Sequence, residues 1–217
     1  MDNATLLAHF AGYLNGKRLA ATTIRNRLSI LRGLAGRTEL LTTTPFELRG
    51  FVGQDGIKAG SARTYRGTVL AFYTFLHDEG LRADNPALRL ESIRAPKGTP
   101  RPFTPEQIDR MLTSGAYRKT RAMILLGHYQ GFRVSQIARV RGVDIDVLSG
   151  TISTLAKGSK SGVLPLHPVI RELAAMMPQS WWFPARDGSD RPMSSASCAD
   201  TSPMAFATHS SPAARAA

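Results

Sequence analysis

Two cationic side chains stand where they could act together on an anion. The first is Arg133, within Gly131-Phe132-Arg133-Val134-Ser135-Gln136, between an apolar run and the start of a predicted short helix. At a helix N-terminus, backbone N–H groups and the helix dipole also favour negative charge. A guanidinium fork placed there can hold two phosphate oxygens at once. The second is Lys157, 24 residues later, which opens Lys157-Gly158-Ser159-Lys160-Ser161-Gly162. An ammonium at a hairpin tip can enter a groove, neutralise a phosphate or give a proton to a leaving oxygen. Taken singly, each residue reads better as a solvated surface cation, so their order along the chain has to carry the argument.

The surrounding elements set that order. Gly150–Ala156 and Val163–Leu166 read as two short strands joined by the Gly/Ser/Lys tip, a β-hairpin. Residues 121–130 are apolar on most sides and predict a buried helix ending at Gly131. A short helix follows from about Ser135, and Pro168 opens another through Met177. Thr104-Pro105-Glu106-Gln107 is a capping box with proline in the first turn, ahead of Ile108, Met111 and Leu112. Upstream, residues 1–80 predict about four helices. One lies near residues 5–14. A second carries Ile24, Leu28, Leu31 and Leu34 on one face, with Arg25, Arg27 and Arg32 off it. A third starts at the capping box Thr44-Pro45-Phe46-Glu47, before Leu48, Phe51 and Val52. The fourth carries Tyr65, Val69, Phe72 and Leu76 and stops near Gly80.

Charge names a class of partner. The 217 residues hold 28 Lys and Arg against 16 Asp and Glu, a formal net charge of +12. So basic a chain is expected to seek polyanions, nucleic acid above all. The excess is shared: residues 1–95 carry +5 and residues 96–192 carry +7. Residues 92–103, SIRAPKGTPRPF, combine three prolines with Arg94, Lys97 and Arg101 and predict an extended basic linker. It is either a strap over a phosphate backbone or an ordinary surface loop. Residues 193–217 hold eight Ala and six Ser with no period, and are expected to be disordered. The single cysteine, Cys198, leaves no internal disulfide and no cysteine-rich zinc site. No apolar run is long enough to span a bilayer. The N-terminus lacks the basic region of a signal peptide, so the expected compartment is the cytoplasm.

A helical basic segment, a proline linker, a T-P-E helix, G-F-R-V-S-Q, A-K-G-S-K and V-L-P-L-H-P follow one another over residues 1–192. In that order the sequence resembles the tyrosine recombinases, the phage integrase family. The resemblance implies a mainly α chain in four parts. These are a helical core-binding domain (1–91), the linker (92–103), a partial α+β catalytic domain with a small β-hairpin (104–192), and the Ala/Ser-rich tail (193–217). It also implies a mechanism without metal or other cofactor. In the family, two arginines and a histidine clamp the scissile phosphate, a hairpin lysine protonates the leaving 5′-oxygen, and a tyrosine attacks phosphorus. Arg133 matches the first arginine and Lys157 the hairpin lysine. Gln136 stands where a glutamate is usual; it can still accept a hydrogen bond but brings no charge.

The pattern then stops. Tyr13, Tyr65, Tyr73, Tyr117 and Tyr129 all precede the hairpin, and no H-x-x-R follows it. Tyr129 reads as packing and His167 as structural. The change to Ala/Ser-rich sequence near Cys198 suggests a truncated or frameshifted integrase. The expectation is therefore a double-stranded DNA-binding protein of the recombination family that does not cleave by itself and has no nucleophile. Its phosphate contacts are expected at Arg25, Arg27, Arg63, Arg66, Lys97, Arg101 and Lys160. The alternatives are a non-catalytic regulator, or a dominant-negative form acting on full-length integrase subunits. An RNA-binding helical protein is disfavoured because the hairpin offers no aromatic stacking platform. A catalytic domain without its later helices is also expected to leave apolar faces exposed around residues 123–126 and 173–182.

Overall fold

The computed structural model describes residues 1–96, 99, 102–155 and 161–201. The chain divides into two compact units, Met1–Lys97 and Gly98–Ala217.

The first unit is helical. Its elements are α1 (Asn3–Gly16), α2 (Ala21–Ala35), α3 (Pro45–Val52) and α4 (Ala59–Asp78), closed by a 3₁₀ turn at Pro86–Arg89. Local signals set the ends. The Asp2 side chain accepts from the Thr5 N–H, and Thr44 and Glu47 form the reciprocal capping box of α3. Gly80 takes φ +67° just past α4, a backbone shape that glycine adopts without steric cost. Leu6 and Phe10 of α1, Leu31 and Leu34 of α2, Leu48 and Phe51 of α3, and Val69 and Phe72 of α4 share one core. Tyr73 is buried in it and donates its hydroxyl to the Leu40 carbonyl at 3.0 Å.

The second unit is α+β. It runs α5 (Pro105–Thr113), α6 (Arg118–Tyr129), α7 (Val134–Ile137), β1 (Ile145–Asp146), β2 (Thr151–Leu155), β3 (Ser161–Pro165), α8 (Pro168–Ala174) and α9 (Ser195–Thr201). The strands form an antiparallel sheet in the order β1-β2-β3, with Ile152 opposite Leu164 and Thr154 opposite Gly162. The sequence reading holds the hairpin but omits β1, whose two residues are too few to show a period. The helix from Pro168 ends at Ala174, and residues 175–177 continue as a turn.

Two expectations are corrected here. The apolar face at residues 123–126 is closed: Met123, Ile124 and Leu126 are buried, as are Leu173, Met177 and Trp182. Ile152 of the sheet, Ile170 of α8 and Cys198 pack onto α6 and complete this core. The Ala/Ser-rich segment also begins with ordered structure rather than disorder. Ser195–Thr201 is helical, and Cys198 is fully buried with its thiol 4.0 Å from the Met123 sulfur. Small residues let that short helix approach closely, and one apolar side chain suffices to anchor it. Residues 202–217 lie outside the described residues.

Candidate functional site

Arg133 sits in the turn that reverses the chain after α6. Gly131 takes φ +65°, and the buried Phe132 returns its N–H to the Leu126 carbonyl at 3.2 Å. Arg133 then caps α7 in an extended conformation and is exposed. Its guanidinium makes no hydrogen bond or ion pair with another described residue, so the charge faces solvent uncompensated.

Two glutamines flank this turn, and each reaches one strand of the hairpin. The Gln136 side-chain oxygen accepts from the Arg133 N–H at 3.0 Å, while its amide nitrogen donates to Thr154 Oγ1 on β2 at 3.3 Å. Gln130 Nε2 donates to the Pro165 carbonyl at the end of β3 at 2.7 Å, and its Oε1 accepts from the His167 N–H at 3.1 Å. The turn bearing Arg133 is thereby tied to the strand that leads to Lys157 and to the strand that returns from it. The sequence singles out Gln136. It does not single out Gln130 or Thr154, because their partners are distant in the chain and no local spacing reveals them.

An aromatic group lies beside the turn. The Tyr129 ring is 4.6 Å from His128 and 4.7 Å from His167, centroid to centroid. Burial, with the His167 charge second, holds the His128 pKa below its ordinary value. His167 caps α8, its Nδ1 accepting from the Val169 N–H at 3.3 Å.

In the first unit, Arg25 on α2 and Arg63 on α4 are exposed, while Arg27 is half-buried. Arg66 is also half-buried, and its Nε and Nη2 donate to the Leu90 carbonyl at 3.2 and 3.0 Å. Part of its donor set is therefore committed to holding the 3₁₀ turn. Lys97, Arg101, Lys157 and Lys160 lie outside the described residues. Among the described residues no cluster of His, Cys, Asp and Glu could hold a metal ion. No described helix is long and apolar enough to cross a membrane.

No protein-family model matches the sequence. Relatives are found directly. Tyrosine recombinase XerD of Proteus mirabilis is 28% identical over 134 residues, 58% of this chain and 43% of that protein. Tyrosine recombinase XerC of Shewanella amazonensis is 27% identical over 179 residues, 77% of this chain and 60% of that protein. Among solved structures, a lambda integrase dimer bound to a COC′ core site superposes with a TM-score of 0.76 at 17% identity. The match covers 97% of this chain and 83% of that one. Lambda integrase bound to DNA gives 0.74 at 18% identity. The chain is thus similar in sequence to tyrosine recombinases over more than half its length, and it shares the fold of lambda integrase.

The chain spans about half the length of the first curated recombinases it matches. Within this recombinase fold, sequence and structure agree on where the G-x-R turn and the hairpin strands lie. The structure adds the glutamine ties between them.

Proposed function

We propose that this chain is a duplex DNA-binding recombinase polypeptide that holds DNA without cutting it. The observation that carries the reading is the free guanidinium of Arg133, exposed at a turn whose backbone is tied to the hairpin. A phosphodiester entering there meets a fork that can grip two oxygens. Lys157, 24 residues along the sequence, is the proposed second charge, and Lys160 a further phosphate contact. In the first unit, Arg25, Arg27 and Arg63, with the uncommitted donors of Arg66, are the proposed phosphate contacts, and the sequence adds the linker cations Lys97 and Arg101. These contacts position the duplex; they do not read bases.

Cleavage requires a nucleophile, and all five tyrosines precede the hairpin, ahead of the place the family resemblance implies for one. Tyr73 is buried and spends its hydroxyl on Leu40. Tyr65 stacks on Phe51, and Tyr13 packs against Phe10 under Lys17. Tyr117 is exposed at the start of α6, 16 residues before Arg133 in the chain, and Tyr129 is packed between two histidines. A phosphate clamp without an attacking group does not replace covalent catalysis.

Two measurements test this. If about six phosphates are neutralised, log K for duplex DNA falls against log salt with a slope of roughly −5; a slope near zero removes DNA as the partner. A suicide substrate carrying a recombination site should give no covalent adduct. Any protein–DNA adduct on a denaturing gel refutes the second half of the proposal. A chain of this kind would compete with full-length recombinase subunits for their sites. Addition to an active recombinase reaction should then lower product in proportion to the DNA occupied.

A further inference from the structure

Behind the helix that follows Arg133 lies a cleft of about 330 Å³ that the DNA reading does not use. Its floor is apolar: Phe132, Val140 and Ile152, all buried, with the half-buried Trp181 at one side. Gln136 and Thr154 form part of the wall. Arg139, Arg141 and Asp144 stand at the edge. Arg141 is neutralised. Its Nε and Nη2 fork onto the Asp144 carboxylate at 2.9 and 2.7 Å, and its guanidinium lies 5.1 Å over the Trp181 ring. Arg139 is exposed, and its guanidinium has no hydrogen-bond or ion-pair partner among the described residues. The edge therefore carries one uncompensated positive charge over an apolar, partly aromatic floor.

We propose that this cleft binds a small aromatic carboxylate, its ring against Trp181 and Phe132 and its carboxylate on Arg139. The volume is at the lower end of the range for small-molecule sites, which are mostly apolar with a few convergent polar groups. A planar ring suits a floor with aromatic walls. The excess charge selects an anion, and a guanidinium fork fits a carboxylate. The carboxylate replaces solvent on Arg139 without disturbing the Arg141–Asp144 pair. The inference stands independently of DNA binding, because Arg133 does not line the cleft.

The test is calorimetry on the full chain with phenylacetate, and with 2-phenylethanol as the uncharged counterpart. Trp181 and Trp182 are the only two tryptophans, so intrinsic fluorescence gives a second, local readout. Phenylacetate should bind saturably and at least tenfold more tightly than the alcohol. Arg139→Gln should weaken phenylacetate by about tenfold and leave the alcohol unchanged, the loss expected for one charge-assisted contact. Trp181→Leu should weaken both. Arg139 is exposed, so its variant is expected to fold; an unchanged melting curve verifies this before binding is compared. Three results overturn the proposal. One is no saturable binding at millimolar ligand, and another is equal affinity for acid and alcohol. The third is binding that Trp181→Leu leaves intact, which would place the acid in the neighbouring depression edged by Arg139, Arg186 and Arg191.

Discussion

Removing the Gln136 side chain should loosen the link between the arginine turn and the hairpin by a predictable amount. Gln136→Ala deletes two hydrogen bonds, one to the Arg133 N–H and one to Thr154 Oγ1. The first is a cap on a four-residue helix at an exposed residue, where water can replace it in part; such losses cost about 1 kcal/mol. The second joins two half-buried neutral groups, a net of about 0.5–1 kcal/mol. The expected loss is about 1.5–2 kcal/mol. Gln136→Glu keeps the acceptor for the Arg133 N–H, and the Thr154 hydroxyl can rotate to donate to the new carboxylate. That variant should stay within about 0.5 kcal/mol of the parent. Urea unfolding followed by tryptophan fluorescence is the assay. Both tryptophans belong to the second unit, so the signal reports that unit and not the first. A cycle with Thr154→Val should give a coupling of about 0.5–1 kcal/mol between positions 136 and 154. The reasoning fails if Gln136→Ala is neutral, or if the two substitutions are strictly additive.

Other positions give sharp expectations. A Cβ on Gly142 would lie 2.4 Å from the Pro178 carbonyl oxygen and 2.5 Å from the Gln179 Cα, both backbone. Gly142→Ala should therefore cost about 1–3 kcal/mol in the same urea assay. Tyr73→Phe removes the donor to Leu40, but Arg82 Nη1 still reaches that carbonyl at 3.4 Å. The loss should be about 1 kcal/mol, read as helical circular dichroism during unfolding. Burial pushes the Cys198 thiol up to about 11 from 9.0, so this residue stabilises the fold fully below pH 9 and less as pH rises toward 11. At neutral pH a thiol reagent should react with it only after unfolding; fast labelling of the native chain would mean that α9 is not docked. His128, lowered from 6.5 chiefly by burial, binds its proton less readily folded than unfolded. Stability should be full above pH 6.5 and decline as pH falls below it, and His128→Gln should flatten that slope in urea midpoints.

The parts of this fold legible in the sequence are those set by neighbours in the chain. Thr44 with Glu47 and Thr104 with Gln107 form the capping boxes their spacing predicts. Gly80 and Gly131 both adopt positive φ at helix ends. Ile24, Leu31 and Leu34 turn inward and Leu28 lies half-buried, as the helical period requires. The α9 segment is not legible in composition, because its small residues offer too little surface of their own to order a chain. The free energy there comes from the partner: Cys198 fills a place in a core already built by Met123, Phe132 and Ile170. A composition count sees only the segment and not the site that receives it. The glutamine ties were invisible for a related reason. Gln130 bonds groups 35 and 37 residues away, and Gln136 reaches one 18 residues away.

The nature of those ties decides how the salt experiment reads. Arg133 is set against the hairpin strands by neutral hydrogen bonds from Gln130 and Gln136, not by an ion pair. Salt screens exposed charges over a Debye length of about 8 Å at physiological strength, but it leaves neutral hydrogen bonds almost untouched. Raising salt should therefore weaken the grip on DNA without dispersing the residues that make it. A glutamate at position 136 would tie part of the geometry to charge, and stability of the second unit would then acquire a salt dependence that the glutamine chain lacks. Comparing the salt slope of DNA affinity with that of stability, for Gln136 and for Gln136→Glu, separates loss of counterion release from loss of the site. In the parent chain only the affinity should move.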